Sequence, residues 1–141
     1  MKISIGSDHA GFELKEHIKN YITKKGFEVI DEGTNGTESV DYPDFGKAVG
    51  ERVSNKEADY GVVICGSGIG ISIAANKVKN IRCALVNEPL SAKLSRTHND
   101  ANVVAFGSRL IGNTMAEEIV DVFLSTDFEG GRHCNRVEKL G

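Results

Sequence analysis

The chain has 141 residues, 40% hydrophobic and 26% charged, which suits one globular domain with a sizeable core and excludes a disordered or fibrous chain. Its formal net charge of -3 gives no global attraction to nucleic acid or to an anionic membrane, so neither is expected as a partner. The three cysteines, Cys65, Cys83 and Cys134, are widely spaced, odd in number and form no CxxC pair, which argues against disulfides and structural metal.

No long apolar region or cleavage signature follows Met1, and no stretch reaches membrane-spanning length, so a cytoplasmic protein is expected. Lys2 to Gly6 reads as a first strand. Leu14, Ile18, Tyr21 and Ile22 then recur at the spacing of one helix face, and Lys24-Lys25-Gly26 is a good helix ending. Phe27 to Asp31 is a second strand, leading into a polar loop from Gly33 to Asp41. Tyr42-Pro43-Asp44 opens a second helix, with proline in its first turn, that runs to about Val53. Tyr60 to Cys65 is the third strand, followed by a glycine loop and the helix-like Ser72 to Lys77. Arg82 to Val86 reads as a fourth strand, and Glu88-Pro89 starts a fourth helix that carries Leu90 and Leu94 inward and ends near Thr97-His98-Asn99-Asp100. Asn102 to Phe106 is the fifth strand, and Met115, Ile119, Val122 and Phe123 mark the fifth helix. Asp127 to Gly141 is a polar tail. Strand and helix alternate without repeat, low-complexity run or linker, which predicts a single α/β domain: a Rossmann-like three-layer sandwich, its five-stranded parallel sheet covered by helices on both faces.

In such a sheet ligands collect beyond the carboxyl ends of the strands, where the strand order reverses. The turns there hold Ser7-Asp8-His9-Ala10-Gly11, Cys65 with its glycines, Asn87-Glu88 and Gly107-Ser108-Arg109. With strands one and three as neighbours, Asp8-His9 and the cysteine loop line one crevice. In Cys65-Gly66-Ser67-Gly68-Ile69-Gly70-Ile71 the alternate glycines let backbone come close to a ligand, and the helix that follows aims its unpaired N–H groups and positive dipole end at it. Something negative, or becoming negative, belongs there. A dinucleotide fingerprint needs glycine where Ile71 stands, and a Walker loop needs a closing Gly-Lys-Ser/Thr, so cofactor binding is the weaker reading. Cys65 also feels the positive helix end, which favours thiolate and makes it a candidate base or nucleophile; a buried strand cysteine is the plain alternative. Asp8 suits a helix N-cap as well as a site carboxylate, and His98 suits a helix C-terminus as well as an acid–base role. Arg132 and Arg136 share a face if helical and can grip a phosphate, against the alternative of a solvated, flexible terminus.

Ser7-Asp8-His9-Ala10-Gly11-Phe12, Asp41-Tyr42-Pro43, Ile64 to Lys77, Ser95 to Val103, Phe106-Gly107-Ser108-Arg109, and Glu129-Gly130-Gly131-Arg132-His133 with Arg136 together resemble type B ribose-5-phosphate isomerases, in order and essentially from end to end. One departure is Ser67, where many relatives carry threonine; the hydroxyl is kept. The resemblance implies an aldose–ketose isomerase of the pentose phosphate pathway that interconverts ribose 5-phosphate and ribulose 5-phosphate through a cis-enediolate, without metal or organic cofactor. It implies Cys65 as the base, with the backbone N–H groups of Gly66, Ser67, Gly68, Ile69 and Gly70 at the enediolate oxygens, the Ser67 hydroxyl as a further catalytic hydrogen-bonding group, and His98 as the group that opens the sugar ring. Asp8, Tyr42 and Asn99 are placed around the sugar, and His9, Arg109, Arg132 and Arg136 at the phosphate and other substrate contacts, so the 127–141 arm contributes to the phosphate site. Relatives are homodimers, some pairing further into tetramers, with active sites shared between subunits. Six-carbon aldose phosphates, allose or galactose 6-phosphate, are the alternative substrates. A non-catalytic nucleotide or sugar-phosphate module is the alternative of another class, and Cys65 with His98 argues against it.

Overall fold

Buried aliphatic runs become the strands β1 (Lys2–Ser7), β2 (Glu28–Gly33), β3 (Tyr60–Cys65), β4 (Cys83–Leu85) and β5 (Val103–Gly107) of a computed structural model that describes residues 1–141. All are parallel, in the order β2-β1-β3-β5-β4, so β1 and β3 are neighbours and the winding reverses between them. The connecting helices are α1 (Phe12–Lys24), α2 (Tyr42–Ser54), α3 (Ile69–Asn76), α4 (Pro89–Thr97) and α5 (Asn113–Ser125). The expected polar tail is folded too, as a 3₁₀ turn at Gly131–His133 running into α6 (Cys134–Leu140). No helix is long and apolar enough to cross a membrane.

The two-residue period of a strand sorts the core into two layers. Val62 and Ile64 of β3, with Val104 and Phe106 of β5, pack against α1, α4 and α5 through Ile18, Ala92, Ile119 and Phe123. Val63, Cys65, Val103 and Ala105 point the other way, onto Val49 of α2 and Ile71 and Ala75 of α3. This alternation puts the Cys65 side chain on the α2/α3 face, at the carboxyl end of the sheet. The three-layer expectation therefore holds, with shifts of one to three residues at element ends and an edge strand β4 of only three residues.

One expectation fails. Leu90 and Leu94 of α4 do not face inward: they are 63% and 39% exposed, and the buried side is Ala92, Ser95 and Arg96. Arg96 takes the inward place because each nitrogen of its guanidinium finds an acceptor there. It donates to Ala101 O at 2.7 Å, Asp100 Oδ1 at 2.9 Å, Thr126 O at 3.0 Å and Tyr60 Oη at 3.1 Å, and lies over the Tyr60 ring. Buried charge is tolerated when it is paired and hydrogen-bonded, and periodicity read from hydrophobicity alone misses it.

A second buried cation anchors the approach to the site. The Lys15 side chain of α1 is 0% exposed and its ammonium meets both oxygens of Asp31 at 2.8 Å. Asp31 also accepts from Lys19 at 2.9 Å and from the Gly33 N–H at 2.9 Å, and so pins the end of β2, where the loop toward Tyr42 begins. Burial pushes the Asp31 carboxyl up, but the hydrogen bonds from Lys15, Lys19 and Gly33 outweigh it and hold the group below the usual carboxylate range. A carboxyl held low when folded stabilises the fold above its unfolded value and loses that contribution as pH falls through the folded value. Asp31→Asn, which leaves the buried Lys15 with only Glu16, at 3.2 Å, as its anionic partner, should cost about 2–3 kcal/mol in urea denaturation at pH 7. The wild type should also lose more stability than the variant on acidification below about pH 4.

Candidate active site

Cys65 ends β3 and is 5% exposed. The chain turns back over it, so that the Gly68 N–H donates to Sγ at 3.2 Å. Ser67 Oγ accepts the Ile69 N–H at 3.2 Å, and α3 begins there, three residues earlier than its sequence implies. The turn closes because Gly68 takes φ 80°, in the left-handed region, and lies so close to β5 that a Cβ would sit 2.7 Å from the Phe106 carbonyl carbon. Only glycine meets both demands. Across the loop, the Ser108 and Arg109 N–H groups donate to Cys65 O at 2.9 Å and Gly66 O at 3.0 Å, carrying the Arg109 guanidinium over Gly66. Tyr42, at the start of α2, lays its ring on the first turn of α3, where a Cβ on Gly70 would stand 2.5 Å from the ring carbons.

Asp8 follows β1 and is buried, with Oδ1 accepting the Gly11 N–H at 3.0 Å. That bond caps the turn; the N-cap position of α1 belongs to Gly11 itself. Ser108 Oγ donates to Ala10 O at 2.8 Å and so ties the turns after β1 and β5 together. His9 Nδ1 accepts the Val40 N–H at 3.1 Å, so a neutral His9 carries its proton on Nε2. Asp8, Tyr42, Cys65, Gly66, Ser67, Ile69, Gly70 and Arg109 line one cavity of about 570 Å³. Ile73 and Leu110 complete its wall, and the sequence does not mark either as a site residue. Their signal was an apolar residue on the outward side of its element, which pattern reading treats as incidental.

The remaining predicted residues lie at the other end of the sheet. His98 is the C-cap of α4, with its N–H on Leu94 O at 2.9 Å, and Asn99 follows it into the turn before β5. Asn102 N–H donates to Arg82 O at 3.0 Å, which marks this as the amino end of β4 and β5. The length of β5, on the order of 15 Å at strand rise, separates this turn from Cys65 of the same chain. The C-terminal arm docks here: Arg96 Nε donates to Thr126 O at 3.0 Å, Glu129 N–H to Thr97 O at 3.1 Å, and the His133 ring stacks on His98 at 4.5 Å between centroids. Burial, then the neighbouring His98 and Arg132, push the His133 imidazole below its ordinary value. Arg132 and Arg136 project from the arm exposed and without an ion pair. One chain thus gathers Asp8, Tyr42, Cys65, the glycine loop and Arg109 in one place, and His98, Asn99, Arg132 and Arg136 in another region.

Other candidate chemistry is absent or closed. Burial pushes the Cys83 thiol up to about 12. A cleft of about 540 Å³ between Met1 and Asn102 has its charges matched, Arg82 with Asp100 at 3.4 Å and Asp59 with the Lys2 N–H at 2.8 Å. No three His, Cys, Asp or Glu side chains come together so as to hold a metal ion.

A sequence model of the Ribose/Galactose Isomerase family matches residues 3–140. Ribose-5-phosphate isomerase B of Escherichia coli (strain K12) is 51% identical over 139 residues, which is 99% of this chain and 93% of that protein. Among solved structures, ribose-5-phosphate isomerase B of Clostridium thermocellum aligns with a TM-score of 0.99 at 56% identity, over 100% of this chain and 95% of that one. The Mycoplasma genitalium enzyme, solved with bound ribulose-5-phosphate, aligns with a TM-score of 0.94 at 43% identity, over 99% of this chain and 93% of that one.

The loop geometry generates a test of its own. Gly68→Ala should cost about 1–3 kcal/mol of stability from backbone strain, with the contact against Phe106 adding to it. Gly36→Ala, at a position with open space around it, is the control and should change the denaturation midpoint little.

Proposed function

The chain belongs to the ribose/galactose isomerase family, and within it we propose that the protein interconverts D-ribose 5-phosphate and D-ribulose 5-phosphate through a cis-enediolate. The observation that carries this reading is the Cys65 sulfur at the foot of a loop of backbone donors, inside a cavity that also holds Asp8, Tyr42 and Arg109. Aldose–ketose isomerisation removes a proton from the carbon beside a carbonyl and returns it to the neighbouring carbon. The minimum equipment is a base and a site for developing oxyanion charge.

Cys65 is the base. The Gly68 N–H on Sγ and the positive end of α3 suit an anionic sulfur, and the same loop directs N–H groups and the Ser67 hydroxyl to the enediolate oxygens. Asp8 and Tyr42 hold sugar hydroxyls. His9 offers Nε2–H, and Arg109 a guanidinium, to the phosphate, and this anchorage holds the reacting carbons still. The substrate is mostly cyclic, so a second acid–base group has to open the ring; His98 has that role, with Asn99 beside it and Arg132 and Arg136 on the phosphate.

Because His98 lies a strand's length from Cys65 within one chain, the working unit is a homodimer in which each cavity is completed by the partner's His98 turn and C-terminal arm. Two features support this: Arg132 and Arg136 are exposed and unpaired, and the cavity is rimmed by the exposed apolar Ile69, Ile73 and Leu110. A central metabolic reaction and three free cysteines fit a cytoplasmic enzyme.

Cys65→Ala should lower kcat for ribose 5-phosphate by about 10²–10⁴-fold while leaving the thermal midpoint near that of the wild type. Near-normal turnover would make Cys65 structural. The shared site is tested by mixing: Cys65→Ala and His98→Asn, each nearly inactive alone, should recover about a quarter of wild-type activity after subunit exchange, since half the dimers are mixed and each holds one intact site. Absence of recovery, with exchange verified, would place both residues in a site built by one chain.

A further inference from the structure

Between Ser125 and Gly141 only one residue is buried. His133 is 4% exposed, while Arg132, Cys134, Asn135 and Arg136 around it all face solvent. Its ring lies nearly parallel to that of His98, 4.5 Å away and inclined by 21°. Its Nε2 has no hydrogen-bond partner, the nearest carboxylate oxygen, on Glu129, being 3.8 Å off. A buried, unsatisfied nitrogen is costly, and its presence in a native fold calls for an explanation.

His98 itself supplies one. No protein group hydrogen-bonds its ring, unlike that of His9, which a backbone N–H holds from Val40. The contact that fixes the plane of His98 is the His133 face. We propose that His133 is the positioning residue of His98: stacking orients the His98 imidazole while leaving both of its nitrogens open to substrate. This rests on the acid–base role assigned to His98 above. The groups facing His133 are His98 at the end of α4, Glu129 and Arg132 in the arm, and Arg136 on α6; the cations among them and burial favour a neutral ring. A neutral ring can stack on His98 whether or not His98 carries a proton, whereas two stacked imidazolium ions would repel. His133 also adjoins Arg132, so the stack sets the phosphate-gripping arm and the ring-opening group in one geometry.

The test uses the full-length protein, with His98→Asn as reference and two variants of similar size, His133→Phe, which keeps a planar face, and His133→Leu, which does not. Two rates are read. Turnover of ribose 5-phosphate requires ring opening. Solvent deuterium exchange at C1 of ribulose 5-phosphate does not, because its 5-hydroxyl is esterified and the sugar stays open. His133→Leu should lower kcat for ribose 5-phosphate by about 10- to 100-fold, with a smaller change in KM, and should divide its loss between the two assays in the same ratio as His98→Asn. His133→Phe should keep most of the wild-type kcat.

Equal behaviour of Leu and Phe, a change confined to KM, or a division of losses unlike that of His98→Asn would leave His133 as an anchor for the arm only. Should His133→Leu give no folded protein, His133→Phe decides: a kcat reduced as far as in His98→Asn overturns the proposal. The ring-opening role is judged separately, since it falls if His98→Asn slows exchange as much as turnover, whatever the His133 variants do.

Discussion

Beyond Cys65 the chain has to reverse direction while pressed against the end of β5, with no room for a side chain between loop and strand. The Phe106 backbone stands where a Cβ of Gly68 would go, and Ser108 and Arg109 close the other side with hydrogen bonds to Cys65 and Gly66 carbonyls. Much of the cavity follows from this contact. The reversal brings the Gly68 N–H back onto the sulfur and starts α3 early enough to offer Tyr42 a bare glycine as its seat. Backbone donors held this way need no reorganisation as negative charge develops before them, which is where oxyanion sites derive most of their effect.

The sheet acts as a spacer between two sets of groups. At its carboxyl end are the sulfur, Asp8 and the amide donors; at its amino end are His98, Asn99 and the arm with its unpaired arginines. A parallel strand of five residues cannot be bent to bring its two ends together, so under the proposed function proton transfer at carbon and ring opening at oxygen require two copies of the chain to face each other. The division has a physical merit. In the proposed site the arginines, without carboxylate partners in their own chain, keep their full charge for a phosphate dianion instead of spending it on internal ion pairs.

What was legible in the sequence is what periodicity and turn chemistry encode. Val62 to Cys65 and Val103 to Phe106 read as buried strands because both of their faces are covered, and Gly66, Gly68 and Gly70 announced a close backbone approach. Periodicity failed where a polar residue was satisfied inside. Arg96 reads as surface and Leu90 and Leu94 as core, yet four hydrogen-bond acceptors and an aromatic face draw the arginine in and turn the leucines out. Lys15 is the same case, a buried ammonium whose partner Asp31 lies on the next strand, beyond the reach of any local pattern. The tail from Asp127 looked solvated because its order depends on single contacts to Arg96, Thr97 and His98, distant in the chain.

The two histidines are held in ways that match the tasks proposed for them. His9 spends Nδ1 on a backbone N–H, which in the neutral ring leaves Nε2–H as the one donor for the proposed phosphate contact. One fixed donor is all that a phosphate contact asks. Ring opening asks more, because a proton must leave the anomeric hydroxyl while another reaches the ring oxygen, and a histidine with one nitrogen committed to the protein can serve only one of those positions. Orientation by a stacked face avoids that commitment. It needs a flat, neutral, buried partner without demands of its own, and the unbonded Nε2 of His133 suits that requirement: a carboxylate close enough to satisfy it would also favour a second proton on the ring and set a cation against His98.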